Sequence, residues 1–293
     1  MEPENVLFLE KPALREPDLV VAFLGWPDAA QVATCSASYM ITHLTAQKFA
    51  EMKSDDYYDF STVRPTVTIQ GGLIQPIRLP TNGFYYWVNA GGQRDLILMT
   101  GIEPQLKWQA YVNAITDMAE FYGVHRLYAI GSLYDRIPHT REIRLSGLTS
   151  DPGLTYALEQ FDLEPISYQG PTSVHGLLLN ACANKNIPAV SVWGHVPFYI
   201  RSESNPMVCL ETVKKISEMC GIQIDMTELD TAAANLFATL NKLLSENEQM
   251  RSFLKALEEQ YDLEGSSPNI QVEGAGQIIK DIEDFLRNQR RDG

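Results

Sequence analysis

The chain is poor in cysteine, in basic charge and in long apolar runs, and each shortage closes off a class of protein. Its 293 residues hold four cysteines, at positions 35, 182, 209 and 220. None lies in a C-x-x-C pair, so neither a zinc site nor a dense disulfide framework is expected. The four read as reduced thiols, mostly buried, and no metal is expected. Lys and Arg number 23 against 37 Asp and Glu, a net charge of −14. A grip on nucleic acid or on an anionic membrane needs clustered Lys and Arg, so neither partner is expected. The most apolar early run, Leu19-Val20-Val21-Ala22-Phe23-Leu24, is far short of the ~20 residues that span a bilayer. Met1-Glu2-Pro3-Glu4-Asn5 lacks the basic n-region of a signal peptide, which points to the cytoplasm. Also missing are a GxSxG elbow, a Walker loop, GxGxxG and HExxH, so no cofactor is expected and no nucleophile–base pair is readable.

What is present is a folding composition, 45% hydrophobic and 20% charged, long enough for a substantial core. Leu19 to Leu24 reads as a strand buried on both faces, stopped by Gly25-Trp26-Pro27-Asp28. Asp28 can cap a helix running from Ala29 to about Met52. Residues 63–90 read as an antiparallel meander, with turns at Gly71-Gly72 and Pro80-Thr81-Asn82-Gly83. Further strands are expected at Asp95–Thr100, Val124–Ile130 and Ile187–Trp193. Further helices are expected after Pro104 and at Asp151–Gln160, His175–Asn184 and Pro206–Gly221. In the helix after Pro104, Trp108, Val112, Ile115, Ala119 and Tyr122 make one apolar stripe. Strand–helix alternation of this kind implies an α/β fold, a mainly parallel sheet with helices on both sides.

The composition changes near Asp225. Residues 226–293 hold 7 basic and 13 acidic side chains and few β-branched ones. The division expected is an α/β domain over 1–225, a helical extension over 226–262, a linker over 263–276 and a short amphipathic helix over 277–289. Gly265-Ser266-Ser267-Pro268 and Gly274-Ala275-Gly276 mark the linker. Ile278, Ile279, Ile282, Phe285 and Leu286 mark the last helix. In the extension Leu229, Leu236, Leu243, Met250 and Leu257 recur every seven residues, as do Ala233, Leu240, Asn247, Leu254 and Tyr261. An unbroken helix over Glu228–Tyr261 would be roughly 50 Å long. Asn247 would stand at an a-type position, where a lone polar side chain sets register or partner number. This seam either packs on its own domain or pairs with another chain, and Phe237, Leu244 and Phe253 widen it toward packing on a body.

Ligands of open parallel sheets bind where loops leave the carboxyl ends of strands. Gly25-Trp26-Pro27-Asp28, Gly101-Ile102-Glu103-Pro104, Gly131-Ser132 and the segment after Val192 are expected on that edge. Residues 125–144 form a basic island with Arg126, Arg136, Arg141 and Arg144 against Asp135 and Glu142. It either binds an anion or an acidic surface, or neutralises the protein's own acids. The candidate ligand contacts are Glu103, His139, Thr140, Arg141, Gly25, Gly131 and Ser132. Glu103 more simply sits in the first turn of its own helix, where a negative charge is favoured. His175 and His195 read as structural histidines.

The ordered motifs resemble a known family. Gly25-Trp26-Pro27-Asp28-Ala29, Arg64-Pro65, Gly101-Ile102-Glu103-Pro104-Gln105-Leu106-Lys107-Trp108, Ile137-Pro138-His139-Thr140-Arg141, Gly170-Pro171-Thr172 and Val192-Trp193-Gly194-His195-Val196-Pro197-Phe198-Tyr199 are similar to those of the prokaryotic branch of the proteasome assembly chaperone 2 family, over about residues 6–240. The resemblance implies a three-layer α/β/α fold with a mostly parallel mixed sheet, similar to purine nucleoside phosphorylases, here followed by a C-terminal helical segment. It also implies a homo-oligomer, and relatives that act as chaperones or adaptors on proteasome subunits. Several relatives dock by a C-terminal hydrophobic–Tyr–any-residue tail. This chain ends Arg290-Arg291-Asp292-Gly293, so docking by that route is not expected. Two functions follow: a protein-binding assembly factor or adaptor, and a small-molecule enzyme or binder using a strand-end anion site, phosphorylase-like or ligase-like. With no readable nucleophile–base pair, the first is preferred.

Overall fold

The run Leu19–Leu24 lies at the centre of the molecule. The computed structural model describes residues 3, 5–77, 79–264 and 275–289. Strand β2, Asp18–Leu24, is the fifth of nine strands in one mixed sheet. In sheet order the strands are β1 (Val6–Phe8), β3 (Gln47–Met52), β6 (Asn82–Trp87), β7 (Leu96–Ile102), β2, β8 (Leu127–Asp135), β11 (Ala189–Pro197), β9 (Leu145–Thr149) and β10 (Glu164–Pro165). The four middle strands β7, β2, β8 and β11 are mutually parallel. On the flanks, β6 and β9 join them antiparallel. A separate hairpin, β4 (Ile69–Gln70) with β5 (Leu73–Ile74), stands apart from this sheet.

Alternation along β2 builds two cores. Leu19, Val21 and Phe23 pack against α2 (Trp108–Tyr122) and α4 (Val174–Asn184) on one face. Val20 and Ala22 pack against α1 (Val32–His43) and α5 (Pro206–Cys220) on the other. This is the three-layer α/β/α arrangement. A short helix, α3 (Thr155–Gln160), packs by Leu158 into the second core. The C-terminal helices α6 (Thr227–Glu246), α7 (Glu248–Glu264) and α8 (Ala275–Gln289) are built onto this body. Leu229 and Ala233 of α6 join the second core, while Leu240, Met250, Leu257 and Ile282 surround Tyr199 and Ile200 in a further cluster.

Four expectations need correction. The first helix ends at His43, not Met52, because Thr45 turns into the left-handed region (φ 52°), and residues 47–52 become β3. Asn82 and Gly83 lie within β6 rather than in a turn. Asn82 is fully buried there; its Oδ1 accepts from the Tyr58 hydroxyl (2.6 Å), the Tyr111 hydroxyl (2.9 Å) and the Ile102 N–H (3.2 Å), while its Nδ2 has no partner among the described residues. Between the expected strand at Val124–Ile130 and the expected helix at Asp151–Gln160, where no element is expected, lies a strand, β9. The long heptad helix is broken at Asn247, whose backbone is extended (φ −125°, ψ 113°). Its Oδ1 accepts from the N–H groups of Gln249 (3.0 Å) and Met250 (3.1 Å), so it caps α7 rather than sitting in a seam. The glycine-rich part of the expected linker, residues 265–274, and Arg290–Gly293 lie outside the described residues.

Candidate functional sites at the strand ends and on the apolar arm

Glu103 follows β7 directly, and α2 does not begin until Trp108, so the carboxylate is not in the first turn of its own helix. Its Oε1 accepts the N–H of Val174, the first residue of α4, at 2.9 Å. Its Oε2 accepts the Trp26 N–H at 3.2 Å. The negative charge therefore stabilises the start of a neighbouring helix and holds the turn after β2. Gly25 is required at that turn: its φ is +140°, and a Cβ there would lie 2.9 Å from the Glu103 Cβ. At the other predicted pair, a Cβ on Gly131 would lie 2.8 Å from the Trp193 ring, while the Ser132 hydroxyl donates to the Ala29 carbonyl at 2.9 Å. Asp28 caps α1, accepting from the Ala33 N–H at 2.8 Å.

Thr140 and Arg141 hold acids that belong to the chain itself, while His139 is turned away from them. Arg141 holds both carboxylate oxygens of Asp262, at 2.9 and 2.7 Å, and reaches Glu258 at 3.5 Å. Thr140 donates to Glu258. This part of the basic island thus faces the acids of α7. His139 is buried beneath α6, its ring against Phe237 and its Nδ1 2.6 Å from the Tyr199 hydroxyl. Burial pulls its pKa down to about 4, against the opposing effects of Asn241 and Glu258. His175 on α4 is held by burial at about 3. Both rings are neutral at pH 7.

The structure also assembles a polar row that no sequence motif announced. The Ser146 hydroxyl of β9 is 2.7 Å from His195 Nε2 on β11, and His195 Nδ1 is 2.7 Å from Asp135 Oδ2 on β8. Asp135 also accepts its neighbour's N–H, from Arg136, at 2.7 Å and pairs with Arg144 at 3.4 Å. Burial would raise the Asp135 pKa, but the His195 hydrogen bond and charge, the Arg136 N–H and Arg144 together hold it below the usual carboxylate range. Among the described residues no group of three or more His, Cys, Asp or Glu is placed to hold a metal ion. No helix of the described residues is long and apolar enough to cross a membrane.

A second unforeseen feature is the arm between β3 and β6. Val67, Ile69, Leu73, Ile74, Ile77 and Leu79 are each between 44% and 69% exposed. Isolated exposed apolar residues are ordinary, whereas six within thirteen positions form a patch of the kind that marks an interaction surface. No Asp or Glu occurs between Asp59 and Asp95, although the chain holds 37. The only charged residues of that stretch are Arg64, Arg78 and Arg94.

A three-layer α/β/α body with a parallel sheet centre, an exposed apolar arm and a helical cover defines the structural class. The chain belongs to the PAC2 family, whose model matches residues 22–244. A PAC2 family protein from Streptomyces avermitilis is 35% identical, with a TM-score of 0.72 over 78% of this chain and 95% of that one. A proteasome-assembly chaperone homologue from Mycobacterium tuberculosis is 24% identical, with a TM-score of 0.74 over 80% and 99%. An archaeal proteasome activator from Pyrococcus furiosus is 22% identical, with a TM-score of 0.65 over 83% and 99%. These last two likenesses are of fold. No curated protein matches the chain.

Proposed function

We propose that the chain is a protein-binding module, an assembly factor or adaptor, that self-associates through the arm at residues 67–79. The exposed, acid-free arm is the observation that carries this reading. Arm and body are complementary, since the rest of the chain carries all 37 acidic residues and the arm stretch carries none. A second copy therefore offers the acidic surface that an apolar, weakly basic arm fits. Family membership supports the reading, and the fold shared with a proteasome-assembly chaperone homologue and a proteasome activator makes a proteasome-like assembly the partner to test first. The heptad seam is not proposed as the interface. Leu229, Leu240, Met250, Leu254 and Leu257 are buried in the chain's own cores, and Leu236 and Leu243 pack against them.

Light scattering on the full chain and on an Ile69→Asp/Leu73→Asp variant tests the proposal. The expected result is a multiple of 32.9 kDa for the native chain and a 32.9 kDa monomer for the variant, with the same circular dichroism. A native monomer at high micromolar concentration, or an unchanged mass in the variant, contradicts it.

A further inference from the structure

We propose that Ser146, His195 and Asp135 form a nucleophile–base–acid array competent for acyl transfer from small carboxylic esters. The array is built by strand register. Trp193 of β11 stands opposite Ser146 of β9, and Pro197 of β11 stands opposite Asp135 of β8. His195 lies two residues from each, so all of these side chains share one face of the sheet. The row runs diagonally across three adjacent strands, near the carboxyl ends of β8 and β11, the edge at which open α/β sheets bind ligands.

Both links of the row are 2.7 Å, within the reach required of a nucleophile and its base and of a base and its orienting acid. An ionised carboxylate only accepts, so in the neutral ring Nδ1 carries the proton toward Asp135 and Nε2 presents its lone pair to the Ser146 hydroxyl. That is the tautomer a general base needs. Asp135 touches His195 and not the reacting atom, so its role is positioning. Arg144, two residues before Ser146, pairs with both Asp135 and Glu164, and Glu164 stands opposite Ser146 on β10. Trp193, beside Ser146 on the same face, has an indole N–H that is buried without a hydrogen-bond partner.

In the reaction, Ser146 Oγ bonds to the ester carbonyl carbon as its proton passes to His195 Nε2. The ester C–O bond then breaks and His195 returns the proton to the leaving alkoxide, giving alcohol and acyl-serine. Water attacks the acyl-serine, its proton goes to His195, and the Ser146 C–O bond breaks with that proton restored to Oγ. The sum is ester plus water to acid plus alcohol. Ser146 is only 2% exposed and His195 6%, which restricts entry to small acyl groups. Such arrays are defined by geometry and not by order in the chain, so a strand-borne serine without an elbow motif is compatible with the chemistry.

The full chain is treated with a small alkyl fluorophosphonate, whose phosphorus the serine attacks with loss of fluoride, and the adduct is located by peptide mass spectrometry. The expected result is one adduct on Ser146, absent in Ser146→Ala and formed about 100-fold or more slowly in His195→Gln. Asp135→Asn should slow labelling and move its pH profile, which a purely structural carboxylate would not do. The native protein decides the matter even if a variant fails to fold. No adduct on Ser146 of the native chain, or an equal labelling rate in folded His195→Gln, overturns the proposal.

Discussion

Two histidines carry a pH dependence with a definite sign. His139 and His175 are held at about 4 and about 3, while in the unfolded chain each returns to the ordinary value near 6.5. Between those values the unfolded chain binds more protons than the folded one, so stability rises with pH. The contribution is fully present above pH 6.5 and is lost as pH falls toward 4. Each ring accounts for roughly 2 kcal/mol between pH 8 and pH 5. Urea midpoints should therefore fall over that range, and less steeply in His139→Gln; an equal slope in that variant would contradict the burial argument. At this scale the sequence reading met its limit. Glu103 and Gly25 were legible as neighbours because both follow apolar strands. Ser146, His195 and Asp135 were not, since they lie up to 60 positions apart and meet only through register across three strands. A one-residue slip in any of those strands would turn its side chain to the opposite face.

At the scale of elements, apolar periodicity gave the helices and the central strands, and local chemistry decided where they stop. The heptads do face a core, but it is the chain's own: Leu229 joins the second core of the sheet, and those from Leu236 to Leu257 pack around Tyr199 and Ile200. Asn247 shows why the break was hidden. Its position fits a seven-residue repeat, yet an Asn side chain is short enough to satisfy the first N–H groups of a new helix, and that competition won. Asn247→Ala should cost about 1 kcal/mol in urea unfolding, the usual loss of an N-cap. A variant as stable as the native chain would mean that α6 and α7 are parted by packing alone. Short flanking strands such as β1, β9 and β10 were missed because two to five residues carry too little pattern to stand out from loops.

For the whole molecule, the net charge of −14 resolves into an uneven surface. Part of the basic island is spent on α7, where Arg141 and Thr140 hold Asp262 and Glu258. The arm is acid-free and its apolar side chains are exposed. Parallel-sheet architecture was readable from the alternation of apolar strands and helices, since that pattern has few packed solutions. The arm's role was not, because Val67 and Ile69 alternate with Thr and Gln just as a half-buried strand would. Only the structure shows that no face of this hairpin joins the main sheet. Seating of this arm on a second copy is tested by hydrogen exchange of the full chain as its concentration is raised. Protection of peptides covering residues 67–79 should increase with concentration while that of β2 stays constant. Exchange of the arm that is fast and independent of concentration would contradict it.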